Sequence, residues 1–183
     1  MKKLGVFMAD GCEEIEALTV VDLARRAGIE VAMISITGEK LVKGAHGIDF
    51  HTDIPAEYMD FDVLDGIVLP GGMPGTLNLG ANEYVQKIIA QFAEEGKLVS
   101  AICAAPSVLG EAGLLKGKKA TSYPGFEEKL LGAEICTNSV VVDGNIITSR
   151  GMGTAIDFAL AIIEYMLDKD TADKLGKGII YSW

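Results

Sequence analysis

The chain has 183 residues, 49% hydrophobic and 23% charged, with five prolines, which is the balance of a globular chain and excludes a disordered one. A formal net charge of −10, with no basic run longer than two residues, excludes a phosphate-backbone binder, which needs clustered lysine and arginine. One domain over 1–183 is expected, long enough to bury about 70% of the surface its unfolded chain exposes.

Short β-rich runs alternate with amphipathic helices, the pattern of a parallel sheet covered on both faces. Residues 3–8 read as a first strand. A helix follows over 14–27, with Ala17, Val20, Val21, Ala24 and Ala27 at helical spacing and Gly28 as its stop. A second strand over 30–36 completes a βαβ unit. Gly38, Gly44 and Gly47 punctuate the runs 40–42 and 48–52, which predicts a small antiparallel ribbon at the sheet edge. A buried strand over 63–69 ends in Pro70-Gly71-Gly72, and a helix over 82–95 leads to a strand ending at Cys103. Residues 106–112 continue as a helix until Gly113, and a short strand is expected over 119–122. Asp143-Gly144 separates 140–143 from 145–148 and supplies the positive φ angles of a tight hairpin turn. The last long helix, 154–167, packs through Ile156, Ala159, Leu160, Ile163 and Leu167.

The apolar start stops at Asp10, too soon for a signal-peptide core, and the apolar stretch 155–167 is broken by Asp157 and Glu164. No membrane segment is therefore expected. Three cysteines without paired spacing do not make a disulfide framework, so a reducing, cytoplasmic location is the default.

Ligands of open parallel sheets sit beyond the carboxyl ends of the strands. Four loops qualify here: 10–16, 70–75, 103–106 and 149–153. Cys103 falls where an apolar run turns into a helix start, the layout of a nucleophile elbow, and the helix's positive end would favour its thiolate. A buried core cysteine is the competing reading. Glu13, Glu14 and Glu16 suit a helix N-terminus, but Glu16 becomes functional if it points at Cys103, where a poorly hydrated pocket would raise its pKa and let it hold and donate a proton. Gly72 and Ala104 can supply backbone N–H groups to an oxyanion. Cys12, Asn78, Tyr123 and Arg150 are candidate pocket residues, and Cys136 reads as structural. His46 and His51 both fall in the ribbon and read as surface or interface residues. They have no metal spacing with any cysteine, so neither a metal nor an organic cofactor is expected.

Five segments together, in order and over nearly the whole chain, resemble the ThiJ/PfpI superfamily, in the branch of the parkinsonism-associated deglycase and its bacterial relatives. They are Asp10-Gly11-Cys12-Glu13-Glu14-Ile15-Glu16, Arg25-Arg26-Ala27-Gly28, Leu69-Pro70-Gly71-Gly72, Ala101-Ile102-Cys103-Ala104-Ala105-Pro106 and Thr148-Ser149-Arg150-Gly151. The resemblance implies a flavodoxin-like three-layer sandwich with a mostly parallel sheet and a homodimer. It implies Cys103 as an easily oxidised nucleophile, Glu16 as a partly protonated partner, and Gly72 and Ala104 as donors. Implied activities are conversion of methylglyoxal to lactate without glutathione, related deglycation, and redox-dependent chaperone roles. Three positions depart from the pattern. Tyr123 stands where several members carry a pocket histidine, His46 where close relatives carry arginine, and Ala104 where the peptidase branch carries histidine.

The reading expected from the sequence is a cysteine-dependent enzyme acting on a small 2-oxoaldehyde or a glycated substrate. The alternative is a redox sensor or chaperone whose Cys103 is oxidised to sulfinate. A peptidase or amidase comes third, because the base it needs is missing.

Overall fold

A computed structural model describes residues 1–182. The first unit is β1 (Lys3–Met8), α1 (Glu14–Arg26) and β2 (Glu30–Ser35), followed by the short strands β3 (Leu41–Lys43), β4 (Asp49–His51) and β5 (Ile54–Pro55). Next come β6 (Gly66–Leu69), α2 (Gly75–Ala81), α3 (Glu83–Glu94), β7 (Leu98–Ile102) and α4 (Pro106–Glu111). The chain continues through β8 (Lys119–Ala120), β9 (Glu134–Ile135), the hairpin β10 (Val140–Asp143) and β11 (Ile146–Ser149), then α5 (Ala155–Met166) and α6 (Lys169–Gly178). Seven strands form one sheet in the order β10-β11-β7-β6-β1-β2-β5, parallel throughout except for β10 against β11.

Alternation along the strands divides the core into two layers. Leu4, Val6 and Met8 of β1 pack with Val20 of α1 and Phe158 of α5, while Phe7 faces the other way toward Ile89 and Phe92 of α3. Strand β7 splits likewise, with Leu98 and Ile102 on the first side and Val99 and Ala101 on the second. This is the flavodoxin-like three-layer sandwich that the sequence pattern and the family resemblance led us to expect.

The ribbon forms, but as its own two-stranded sheet, β3 against β4, because the outer edge of β2 is taken by β5. It hangs instead on the loop after β1: the Gly11 N–H donates to Lys43 O at 2.7 Å, and the Lys43 N–H to Asp10 Oδ1 at 2.9 Å. The expected strand over 63–69 is shorter, since Phe61–Val63 make a 3-10 turn capped by Asp60. Two helices were not legible in the sequence. Helix α2 contains two glycines and lacks a side-chain N-cap, so its composition opposes a helix that packing imposes. Helix α6 is almost wholly polar; Asp168 caps Thr171 N at 2.7 Å, and Lys169–Asp173 and Lys174–Asp170 pair along it.

Phe92 and Phe158 are fully buried on opposite sides of the sheet. Phe92→Ala and Phe158→Ala are each expected to cost about 3–5 kcal/mol, read as a lower denaturant midpoint at unchanged slope.

Candidate active site

Strand order reverses at β1 and β6: the connection from β1 runs to β2 on one side, and the chain returns on the other side to build β6 and β7. Such a switch point leaves a crevice over the carboxyl ends of the strands. The loops after β1, β6, β7 and β11 meet there.

Cys103 follows the last residue of β7 and takes a left-handed backbone conformation, φ 65°, unfavourable for any side chain with a Cβ. Two main-chain bonds hold it: its N–H donates to Ser149 O at 3.0 Å, and its carbonyl accepts from Tyr123 N–H at 2.8 Å. The backbone N–H groups of Gly72 and Ala104 reach its sulfur, and its thiol hydrogen-bonds the Glu16 carboxyl. Glu16 projects inward from the first turn of α1, 1% exposed, and Glu16 Oε2 accepts the Gly71 N–H at 2.9 Å.

Glycine at 71 is a steric requirement. A Cβ there would lie 2.6 Å from the Cys103 Cβ and 2.7 Å from Glu16 Oε2, through the pair itself. Gly75 is as tightly placed, with its would-be Cβ 2.6 Å from Cys12 N. The loops after β1 and β6 thus pack backbone on backbone, tied by Glu13 N–H to Gly71 O at 2.9 Å and Gly75 N–H to Gly11 O at 3.1 Å.

Burial pushes the Glu16 carboxyl up to about 7, opposed by its bonds from Cys103 and Gly71 and aided by the charge of Glu13. Burial also pushes the Cys103 thiol up, to about 12, and the Glu16 charge and bond add to it; the Ala104 and Gly72 N–H groups pull the other way. The helix end expected to favour the thiolate is opposed here by burial and by Glu16. Helix α4 has only six residues, and two N–H donors do not offset desolvation beside a carboxylate. Burial raises both groups of the pair, and Glu16, the lower of the two, is the one that can take the sulfur's proton.

The other candidates divide. Tyr123 stands at the site: a Cβ on Gly151 would lie 3.2 Å from its ring and 4.0 Å from Glu16 Oε1. Cys12 is fully buried in the layer of α1 and α5, its thiol pushed up to about 12 by burial, so it packs and does not line the crevice. Asn78 donates to Asp10 O at 2.9 Å and lines a separate cleft with Ile36 and Thr37, so it braces the loop after β1. Arg150 donates from Nη1 to Thr137 O at 3.2 Å, beside the loop before β10. Cys136 is part-buried, its Sγ 3.7 Å from Glu134 O. His51 lies on β4, and His46 pairs with Glu13 and Glu14. Sequence reasoning missed Gly71 as the donor to Glu16, and it missed the Glu14–His46 pair.

An elbow cysteine over the switch point of a doubly wound sheet, hydrogen-bonded to a buried carboxyl and two backbone N–H groups, defines a cysteine-centred α/β protein of the nucleophile-elbow class. The DJ-1/PfpI family model matches residues 2–165, and the chain belongs to that family. It is 37% identical over 180 residues to protein dj-1beta of Drosophila melanogaster, covering 97% of this chain and 96% of that one. It is 34% identical over 151 residues to a deglycase of Pyrococcus abyssi, covering 81% and 89% respectively. The chain spans under half of the DJ-1 homologues A and B of Arabidopsis thaliana, 44% and 40%. The solved structure of oxidised Toxoplasma gondii DJ-1 superposes with a TM-score of 0.96 at 34% identity, all of both chains covered.

Glu16 has a folded pKa of about 7 against an ordinary 4.5, so folding is penalised by its ionisation. The penalty is absent below pH 4.5, grows through the window to 7 and is complete above it, at about 3 kcal/mol. Glu16→Gln is expected to stabilise the fold by up to about that amount at pH 8 and by nothing at pH 4, measured by urea unfolding at both.

Proposed function

We propose that the protein is a cysteine-dependent enzyme converting a small 2-oxoaldehyde such as methylglyoxal to its 2-hydroxy acid, or carrying out the related deglycation, without metal or organic cofactor. The observation that carries this reading is the Cys103 thiol bonded to a buried Glu16 whose pKa lies near neutrality. The deglycase name of the Pyrococcus relative supports the substrate class.

As Cys103 Sγ adds to the aldehyde carbon, its proton passes to Glu16 and the carbonyl electrons move to oxygen. The Gly72 and Ala104 N–H groups, which already lower the thiol's proton affinity, are the donors offered to that new alkoxide. Glu16 hands the proton it took from sulfur to the alkoxide. The freed carboxylate then takes the proton of the aldehyde carbon, giving an enediol whose hydroxyl proton crosses to the ketone oxygen, and returns the carbon's proton to the neighbouring carbon. The first carbon is oxidised to a thioester and the second reduced to an alcohol, so no external oxidant is required. Water hydrolyses the thioester and sulfur regains a proton. Desolvation that raises Glu16 also keeps competing water off the intermediate.

A peptidase reading lacks its base: His46 pairs with Glu13 and Glu14, and His51 lies on β4. A redox-sensing role is the second reading, supported by the oxidised state of the Toxoplasma structure. There, two peroxide molecules would convert the Cys103 thiol to sulfinic acid and leave as two waters. The free thiols suit a reducing compartment such as the cytoplasm.

Lactate is measured directly in a glutathione-free methylglyoxal assay. Cys103→Ser is expected to abolish turnover and Glu16→Gln to lower kcat/KM about 10²–10⁴-fold. In the wild type, kcat/KM should fall as pH drops through about 7, where Glu16 takes up its proton, and that inflection should vanish in Glu16→Gln. Wild-type turnover in Cys103→Ser overturns the enzyme reading. No turnover in the wild type, with two oxygens gained at Cys103 alone under mild peroxide, favours the redox reading.

The chain is also proposed to form a homodimer through the face where α1 meets the ribbon. Leu18, Ile156 and Ile179 line a cleft of about 640 Å³ there, with Ile15 and Ile48 at its sides. Ile15 is 51% and Ile48 56% exposed, an apolar patch that water alone does not favour. Ile48→Lys is expected to shift sedimentation from dimer to monomer; a monomeric wild type removes the proposal.

A further inference from the structure

A 2-oxoaldehyde bound at Cys103 carries a substituent that does not react, and the wall beside Glu16 has a defined shape to meet it. Gly151, just beyond β11, lies between the Glu16 carboxyl and the ring of Tyr123. A Cβ on it would stand 3.2 Å from Tyr123 Cδ2, 3.7 Å from Cε2 and 4.0 Å from Glu16 Oε1. We propose that Tyr123 and Gly151 form a flat slot for the substituent on the second carbon, which selects arylglyoxals, with phenylglyoxal the simplest. This rests on the enzyme reading and adds to it the kind of substituent the site prefers.

The groups around the substrate fix which way that substituent points. Sulfur binds the aldehyde carbon, whose oxygen turns to the Gly72 and Ala104 N–H groups. Glu16 serves both carbons in turn, so the second carbon lies on the carboxyl's side. Glu16 Oε2 is tied to the Gly71 N–H at 2.9 Å, and the backbone there approaches Cys103 too closely to admit even a methyl group. The substituent therefore leaves past Oε1, where Gly151 and Tyr123 stand.

That exit suits a plane. The Tyr123 ring and Oε1 stand no further apart than their two distances to the Gly151 position taken together. A flat group needs about 3.5 Å to a wall on each face, which that spacing allows, and a thicker one is excluded. The Tyr123 backbone is fixed, its N–H on Cys103 O at 2.8 Å and its carbonyl accepting the Phe126 N–H at 3.1 Å. Its side chain is 51% exposed, so the ring has a surface left to cover. The neighbours in the chain are apolar and about half exposed, Met73 after Gly72 and Met152 after Gly151. Arg150, the cation beside Gly151, spends Nη1 on Thr137 O at 3.2 Å and acts on the charge of Glu127. With the Glu13 charge also reaching Glu16, a neutral substituent is favoured over an anionic one.

The test measures mandelate from phenylglyoxal and lactate from methylglyoxal, in the wild type, Tyr123→Phe, Tyr123→Ala and Gly151→Ala. In the wild type, KM for phenylglyoxal should lie about tenfold or more below that for methylglyoxal. Tyr123→Ala should lower the ratio of the two kcat/KM values about tenfold. The loss should fall on KM, because the stacked contact is the same before and in the transition state. Tyr123→Phe keeps the ring and should hold the ratio within about twofold of the wild type. Gly151→Ala puts a methyl group into the slot and should lower the ratio as well; its extended backbone, φ 164°, accepts alanine. Cyclohexylglyoxal, of similar size but not flat, should show a KM about fivefold or more above that of phenylglyoxal. An unmoved ratio in both alanine variants, with methylglyoxal still turned over by the wild type, overturns the slot alone. Turnover of neither aldehyde by the wild type overturns the enzyme reading and the slot with it.

Discussion

A carboxyl group with 1% exposure at the end of a parallel sheet must either stay neutral or be surrounded by donors, and Glu16 is poised between the two. One backbone N–H, from Gly71, and one thiol, from Cys103, partner it, and that is less than full compensation for lost water. Its proton affinity therefore settles near neutrality, and the same burial raises that of the neighbouring thiol. The surrounding loops are arranged around this pair.

That arrangement depends on close backbone approach. Gly71 is where a side chain would cut between Glu16 and Cys103, and Gly72 (φ 91°) and Gly75 let the loop after β6 lie directly on the loop after β1. Cys103 adds a left-handed φ of 65°, held by Ser149 on one side and Tyr123 on the other. The strain is tolerated because β7 and β11 pair along four residues immediately below it. Rigid parallel strands thus carry an irregular rim, and the chemistry falls on the rim.

Much of this was legible in the sequence. The strand at 3–8 and the hairpin around Asp143-Gly144 were read from hydrophobic pattern and turn chemistry, which are local properties. Helix α2 was not, because its glycines oppose a helix that only contact with α3, α4 and the Cys12 backbone imposes. Helix α6 was missed for another reason: the stripe it packs on the core is only Ala172, Leu175 and Gly176, too thin to stand out among its charged residues. Cys12 and Asn78 sat in the right loops but turn away from the crevice, a choice that depends on side-chain direction. Glu14 and His46 are 32 residues apart, and no spacing rule connects them.

The chain's own pattern determined the α/β alternation, the four strand-end loops, and Cys103 and Glu16 as the residues to watch. Each of these follows from residue type and short-range periodicity. Only the tertiary structure decided how burial raises the proton affinities of that pair, since desolvation depends on what surrounds a group and not on its neighbours in sequence. It likewise decided that the ribbon folds onto the first loop instead of the sheet edge, because β5 had already taken the hydrogen bonds of β2. That displacement set an imidazole against two carboxylates far away along the chain.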